Sequence, residues 1–243
     1  MRCVIRLLAL GVAVSVLFAP RPIAAQGATT STAAFWGVDE GPNGWAFYLG
    51  AIHALNGDFG KDGLLLRGLG VYGTYDYQSD IGSSILGRYH LYDAMIGYQL
   101  LRPGFRFAGY IGAEYQDHNL SRFDPTNKVV GAETGFKVAG DVTLGHNQPL
   151  FLILAGSYST AFDTYWSRLR IGYKVGQLTF GPEALRTGNE GSDAWRVGGF
   201  AQLKFDKTPF EITVAAGQHT NDENGIFANK NGAYASVNLG LSF

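Results

Sequence analysis

Three side chains in the middle of the chain have the types that a hydrolase uses, namely His118, Ser121 and Glu133. A serine nucleophile needs a base within hydrogen-bond reach, and a carboxylate can orient that base. The spacing does not supply this arrangement, because residues three apart on one strand point to opposite faces. His118 and Ser121 also stand close to Asp124 and Pro125, where we predict a surface loop. The pattern favours polar loop residues over a catalytic group, and we predict that the protein is not an enzyme.

Metal and cofactor chemistry is not indicated either. Cys3 is the only cysteine and precedes the cleavage point predicted below, so the mature chain would hold none. That excludes a disulfide framework, a thiolate metal site and a cysteine nucleophile. The remaining histidines, His53, His90, His146 and His219, are scattered over different connections, so no metal site follows. No glycine loop that would cradle a phosphate precedes a helix. We therefore predict no cofactor and no metal.

The composition favours β structure over helices. Glycine is high at 34 residues and aromatic residues reach 14%, whereas charged residues make up only 16%, below the usual quarter. Beyond the N-terminus there is no apolar run of about eighteen residues, which excludes a helical membrane protein. The formal net charge of −1 gives no polyanion-binding signature, so we expect no nucleic-acid partner.

The N-terminus has the pattern of a secretory signal peptide. Two arginines precede a continuous apolar run over residues 7–18, which prolines then interrupt before a group of small residues. The run is too short to span a membrane as an anchor. We predict a cleaved signal peptide over residues 1–25, a short periplasmic segment over 26–31 and a single β-barrel over 32–243.

The last eleven residues read as a strand with one apolar and one polar or small face. The two faces alternate without a break, with Asn238 on the polar side. A terminal phenylalanine after alternate apolar positions is typical of the signal by which bacterial outer-membrane barrels reach their assembly machinery. We predict that membrane-assembly signal at Val237, Leu239, Leu241 and Phe243.

Strand patterns separated by turn residues continue along the whole mature chain. An even number of strands, about twelve, is typical of single-chain bacterial barrels. Several strands alternate clearly, but the second, third and seventh alternate poorly. Residues 64–66 and 150–154 are apolar on both faces and have no assignable orientation. The predicted strands cover residues 32–39, 45–55, 64–77, 88–101, 105–117, 128–144, 150–158, 164–174, 177–186, 194–206, 209–218 and 230–243.

Turn lengths favour a membrane barrel over a soluble sandwich. With the N-terminus in the periplasm, the turns at 102–104, 146–149, 175–176 and 206–208 are short, and those between them are mostly longer, including 187–193. Aromatic residues stand near the ends of the apolar faces, as membrane interfaces require. A closed barrel also leaves no unpaired strand edge in lipid. We therefore predict an all-β fold, a closed antiparallel transmembrane β-barrel of about twelve strands.

In such a barrel the charged faces line the interior. Both signs occur in nearly equal number, so pairing across the lumen is the favoured interpretation, because unpaired charges in a narrow interior would be unfavourable. A pore or saccharide-binding lining is the alternative, with Tyr110, Trp166 and Tyr234 as stacking surfaces. The predicted inward charges are Arg106, Glu114, Glu133, Lys137, Asp141, Arg168, Arg170, Glu183, Arg196, Lys204 and Glu211.

Several stretches resemble the cellulose biosynthesis protein BcsS family of Gram-negative bacteria. They include Phe35-Trp36-Gly37-Val38-Asp39 and Phe180-Gly181-Pro182-Glu183, together with 45–51, 54–58, 63–67, 73–77 and 112–118. The resemblance covers nearly all of the mature chain, on strand and turn motifs and not on a catalytic signature. It implies an outer-membrane protein of cellulose production or export. The polar members of the matching stretches, Arg67, Glu114, Gln116 and Glu183, become candidate lumen residues.

We expect a non-enzymatic outer-membrane accessory in cellulose synthesis or secretion. The expected partners are outer-membrane lipid, the barrel assembly machinery, and cellulose or components of the cellulose-synthase complex. Two alternatives stay open: a small monomeric porin for oligosaccharides or anions, and an outer-membrane lipid hydrolase.

Overall fold

Twelve antiparallel strands close into a barrel, as the sequence predicts. The computed structural model describes residues 30–79, 82–206, 208–221 and 230–243, so the predicted signal peptide lies outside the described residues. Each strand pairs with its sequence neighbours, and β1 pairs with β12 to close the wall. The strands are β1 (Thr32–Gly41), β2 (Gly44–Ala54), β3 (Gly63–Gln78), β4 (Ser84–Arg102), β5 (Phe105–Leu120), β6 (Gly131–Leu144), β7 (Leu150–Ser159), β8 (Tyr165–Val175), β9 (Leu178–Asn189), β10 (Ser192–Lys204), β11 (Phe210–Asn221) and β12 (Gly232–Ser242).

The barrel has two ends, which we name from their connections. The loop end carries the β1–β2, β3–β4, β5–β6, β7–β8, β9–β10 and β11–β12 connections, and the terminal end carries both chain termini of the barrel. The predicted alternation of short and long connections holds only in part. The expected long loop over 187–193 is a tight turn, because Asn189 Oδ1 accepts hydrogen bonds from the Gly191 amide at 2.9 Å and the Ser192 hydroxyl at 3.1 Å. Strands β9 and β10 therefore stay paired up to the turn.

The outer face is apolar over the height of the strands. Side chains such as Leu49, Ile111 and Val197 are more than half exposed there. The predicted assembly-signal residues of β12 also lie on this face, while Asn238 points inward and is buried. Aromatic residues stand near the strand ends, as they do in transmembrane barrels. The fold is therefore a closed transmembrane β-barrel. Within the described residues, no helix is both long and apolar enough to cross a membrane.

One side of the interior is packed with apolar side chains, which explains the strands that the sequence left without an orientation. In β2 and β3 every second residue is buried inside, including Tyr48, Leu65 and Leu69. These join Phe35 of β1 and Met95 of β4 in one cluster. Both faces of these strands are apolar because one contacts lipid and the other fills the barrel.

Several inward aromatic rings lie against a glycine that stands directly opposite on the next strand. In seven pairs of this kind among the described residues, a Cβ on the glycine would collide with the ring. The high glycine content therefore makes room for rings inside a narrow barrel. The pairs are Gly37/Tyr48, Gly50/Phe35, Gly73/Tyr89, Gly87/Tyr75, Gly97/Tyr110, Gly172/Phe151 and Gly217/Tyr234.

Candidate functional site in the barrel interior

The interior receives all twelve of the predicted lining residues. Glu133 is half-buried and accepts a hydrogen bond from the Phe162 amide at 3.3 Å. The other eleven are buried inside the barrel, namely Arg67, Arg106, Tyr110, Glu114, Gln116, Lys137, Trp166, Arg168, Arg170, Glu183 and Arg196. Their role in binding a saccharide stays a prediction.

A first ion-pair network joins β3, β4, β5 and β6. The Lys137 ammonium lies between two carboxylates, 2.7 Å from Asp93 and in still closer contact with Glu114. Arg67 approaches the same Asp93 carboxylate at 3.5 Å. The Gln116 amide donates to Glu114 at 2.7 Å. Because all of these side chains are almost fully buried, each charge depends on its partner for the solvation that water would otherwise supply.

A second network crosses the other side of the interior. Arg196 donates to Asp39 at 2.6 Å and to His219 Nδ1 at 2.9 Å. Arg170 pairs with Glu183 at 2.7 Å, and the Tyr234 hydroxyl donates to the same carboxylate at 2.7 Å.

Aromatic faces also contact the arginines of the interior. The Arg168 guanidinium lies over the Trp166 ring at 5.2 Å, and that of Arg196 lies over Tyr234 at 5.1 Å. Nearer the terminal end, Arg106 lies 3.8 Å from Asp141, and Lys204 lies 3.2 Å from Glu211. Opposite charges thus pair across the strands, as the sequence favours.

Asp39 is an important residue that the sequence analysis did not include in the lining. It continues the inward face of β1, two residues after Gly37 and four after Phe35. Strict alternation along β1 would have placed it inside the barrel. Its neighbours on that face are apolar or small, so the position did not read as part of a charged lining.

His118 does not stand in a surface loop, which corrects the sequence prediction. Strand β5 continues to Leu120, so the His118 ring points into the barrel and is buried. It stacks on Tyr89 at 5.4 Å, and its Nε2 lies 3.2 Å from Gln116 Oε1. Ser121 does lie in the loop, where its hydroxyl accepts a hydrogen bond from the Leu86 amide at 2.9 Å. The interior of the barrel therefore holds the histidine, and the loop holds the serine.

Two cavities enter the barrel from opposite ends and share no lining residue. The terminal cavity has a volume of about 790 Å³ and is lined by residues such as Arg106, Lys204 and Glu211. The loop cavity is smaller, at about 100 Å³, and is lined by aromatic and amide side chains such as Trp166 and Asn43. Arg168, Arg196 and Asp39 line neither cavity and are almost fully buried. Among the described residues no group of three or more potential metal ligands comes together.

The closed wall, the apolar exterior and the charged, paired interior define a transmembrane β-barrel. The chain belongs to the cellulose biosynthesis protein BcsS family, whose model matches residues 33–243. The match covers the whole barrel, from the second residue of β1 to the last residue of the chain. A comparison with curated proteins finds no match.

Solved structures with the same general architecture are distant in sequence. A KdgM porin is 11% identical with a TM-score of 0.48, over 87% of this chain and 99% of that chain. Outer membrane phospholipase A from Escherichia coli is 13% identical with a TM-score of 0.44, over 88% and 96%. The CymD monoaromatic hydrocarbon channel is 10% identical with a TM-score of 0.45, over 93% and 95%. These proteins share no single activity, and the likeness is one of fold alone.

Proposed function

We propose that this barrel is a non-enzymatic accessory of cellulose synthesis or secretion in the bacterial outer membrane. The observation that carries the proposal is membership of the BcsS family along the full length of the barrel. The apolar exterior suits insertion in a bilayer, with outer-membrane lipid as its surroundings. The loop end would face outward and the terminal end the periplasm. The barrel assembly machinery would act on the β12 strand, and cellulose or components of the synthase complex are the proposed working partners.

The contacts of the interior support a role without catalysis. Glu114 and Asp93 share Lys137, and Glu183 is held by both Arg170 and Tyr234. Carboxylates held in this way are engaged in structure and are poorly placed to move protons. His118 is enclosed in the interior while Ser121 lies in a loop, so the pair does not form a nucleophile and base for a lipid in the bilayer.

Deletion of the gene in its own host tests the accessory role. Extracellular cellulose, measured as glucose released by a purified cellulase, should fall in the deletion strain and return on complementation. Barrel levels in the outer-membrane fraction serve as the control for complementation. Unchanged cellulose in a strain that lacks the protein would contradict the role.

A porin is the second candidate, because the terminal cavity is wide and holds several cationic side chains. The solvent-excluded layer around Arg168 and Arg196 argues against it. Planar-bilayer recording of the purified protein separates the two. We expect no steady open-channel current; a steady current that oligosaccharides reduce would favour the porin.

A further inference from the structure

The outer wall of β4 and β5 changes from aromatic to polar side chains as it approaches the loop end. Tyr92 and Tyr115 stand opposite each other and are exposed on the lipid-facing side. In the next pair along the two strands His90 stands opposite Asp117, and its Nε2 lies 3.7 Å from that carboxylate. The His90 ring lies 5.6 Å from the Tyr92 ring, so these side chains share one face of the wall. Tyrosines at such a border mark the level at which acyl chains give way to lipid headgroups.

Beyond these tyrosines, β4 carries an exposed arginine. Arg88 points outward four residues past Tyr92, which is roughly 13 Å further along the strand. It stands opposite the amide side chain of Asn119 on β5, which is also exposed. The long side chain of an arginine reaches along such a wall toward the surface of the bilayer. The Arg88 guanidinium is therefore placed at the level of the headgroups.

Two more cations border the same part of the wall. The Ser121 hydroxyl accepts a hydrogen bond from the Leu86 amide at 2.9 Å, and the Ser121 amide donates to the Leu86 carbonyl at 2.8 Å. The next residue, Arg122, therefore stands at the end of the β4–β5 pairing, a few residues from Arg88, and is exposed. Lys128 lies later in the same loop and is exposed as well. We call Arg88, Arg122 and Lys128 the cationic margin.

The cationic margin has no acidic partner of its own. Within the described part of the chain, none of its three side chains forms an ion pair. Asp76 of β3 contacts the Lys230 ammonium. Asp124 of the β5–β6 loop is buried and accepts hydrogen bonds within that loop. Three cations thus stand near one carboxylate, that of Asp117, which has no lysine or arginine partner. An excess of positive charge is therefore left for a group from outside the chain.

We propose that the cationic margin binds the phosphate of an anionic lipid in the leaflet at the loop end. A lipid is the ligand that the position selects, because the wall below the cationic margin is apolar and contacts acyl chains. A guanidinium can donate two parallel hydrogen bonds to phosphate oxygens, and the Asn119 amide adds a donor. A zwitterionic headgroup gains less, because the same three cations repel its own positive charge. The proposal requires only the transmembrane fold and is independent of the role in cellulose production.

Native mass spectrometry of the full-length mature protein in detergent tests the proposal. The probes are phosphatidic acid and phosphatidylcholine with the same acyl chains, each titrated against the folded barrel. We expect phosphatidic acid to bind more tightly. Arg88→Gln should weaken its binding about fivefold, the usual effect of one cation at an anionic membrane surface. Arg88→Lys keeps the charge and should lose less, whereas phosphatidylcholine should bind equally to all variants.

Two further variants control for general effects of charge. Lys174→Gln removes one positive charge from the terminal cavity, inside the barrel. Arg186→Gln removes an exposed arginine whose guanidinium is already paired with Asp193 at 2.5 Å and lies over the Trp195 ring. Both should bind phosphatidic acid as the wild type does. Heat-modifiable migration on gels checks that every variant is folded.

Three results would overturn the proposal. One is equal binding of the two lipids by the folded wild type. Another is unchanged binding of phosphatidic acid by Arg88→Gln. The third is an equal loss in Lys174→Gln and Arg88→Gln, which would mean that only the net charge of the protein matters. None of these results depends on the deletion strain, so failure of this lipid site and failure of the accessory role are distinguishable.

Discussion

The guanidinium of Arg196 donates to the carboxylate of Asp39 over 2.6 Å, although β11 and β12 separate their strands in the barrel wall. The two side chains are fully buried and 157 residues apart in sequence. Their contact runs across the inside of the joint between β12 and β1, where the first and last strands meet. The ion pair therefore links β1 to β10 across the inside of the barrel, next to the contact between the first and last strands.

Asp39→Ala should destabilise the barrel by about 3 to 5 kcal/mol. The substitution removes the carboxylate that pairs with the buried, charged guanidinium of Arg196. Urea unfolding in detergent micelles measures the change. The double variant Asp39→Ala/Arg196→Met is the control and should recover most of the loss, since an apolar replacement of a buried pair is often tolerated. If Asp39→Ala were as stable as the double variant, the Asp39–Arg196 ion pair would not contribute to the closure of the barrel.

Gly172→Ala should lower the free energy of unfolding by about 1 to 3 kcal/mol, as overpacking does. A Cβ at this position would lie 2.7 Å from Phe151 Cε2, and its three closest neighbours all belong to that ring. Adding Phe151→Leu should relieve the collision. The matched control is Gly68→Ala, where the nearest atom, the Asp93 carbonyl oxygen, is 3.7 Å away. Equal losses of stability in Gly172→Ala and Gly68→Ala would contradict the conclusion that glycine makes room for an aromatic ring.

Val237→Arg should impair membrane insertion, because Val237 is exposed on the outer face at the middle of β12. An arginine near the midplane of the bilayer costs about 2 to 4 kcal/mol in such barrels. The yield of folded protein in vesicles, measured by heat-modifiable migration, checks this. Phe123→Arg adds the same charge to an exposed loop residue and should insert normally. Normal insertion of Val237→Arg would mean that this face does not contact lipid.

The loop between β5 and β6 should loosen in acid. The Thr126 hydroxyl at 2.7 Å, joined by the Thr126 amide and the Tyr77 hydroxyl, holds the pKa of Asp124 below its usual range. A lowered pKa means that the carboxylate stabilises the loop above the ordinary value of about 4, and that this contribution is lost as the pH falls through the folded pKa.

The protection factor of the Thr126 amide, which donates to Asp124, measures this change by hydrogen exchange. It should be constant near neutrality and fall in acid. Asp124→Asn is the matched control and should show a lower protection factor that hardly depends on pH. A wild-type protection factor that stays level through the acid range would exclude the titration of Asp124 as the cause.

The sequence predicted the strand positions well because a membrane barrel imposes period two on every strand. Where only one face was apolar, as in β4, β5, β6, β10 and β12, the inward and outward residues could be assigned correctly. In β2 and β3 the assignment failed because lipid and a packed interior both select apolar side chains. The positions of His118 and of the β9–β10 turn were wrong because strand ends depend on pairing with the neighbouring strand, which local sequence does not reveal.

The sequence by itself predicted about twelve strands, with the charged faces of the clearly alternating strands inward and both signs in near balance. Only the tertiary structure decided which charges meet, as Arg196 with Asp39 and Lys137 with both Asp93 and Glu114. It also decided which glycines stand opposite inward aromatic rings. The physical reason is that closure sets the stagger of each strand against the next, and this stagger brings residues far apart in sequence to the same height inside the barrel.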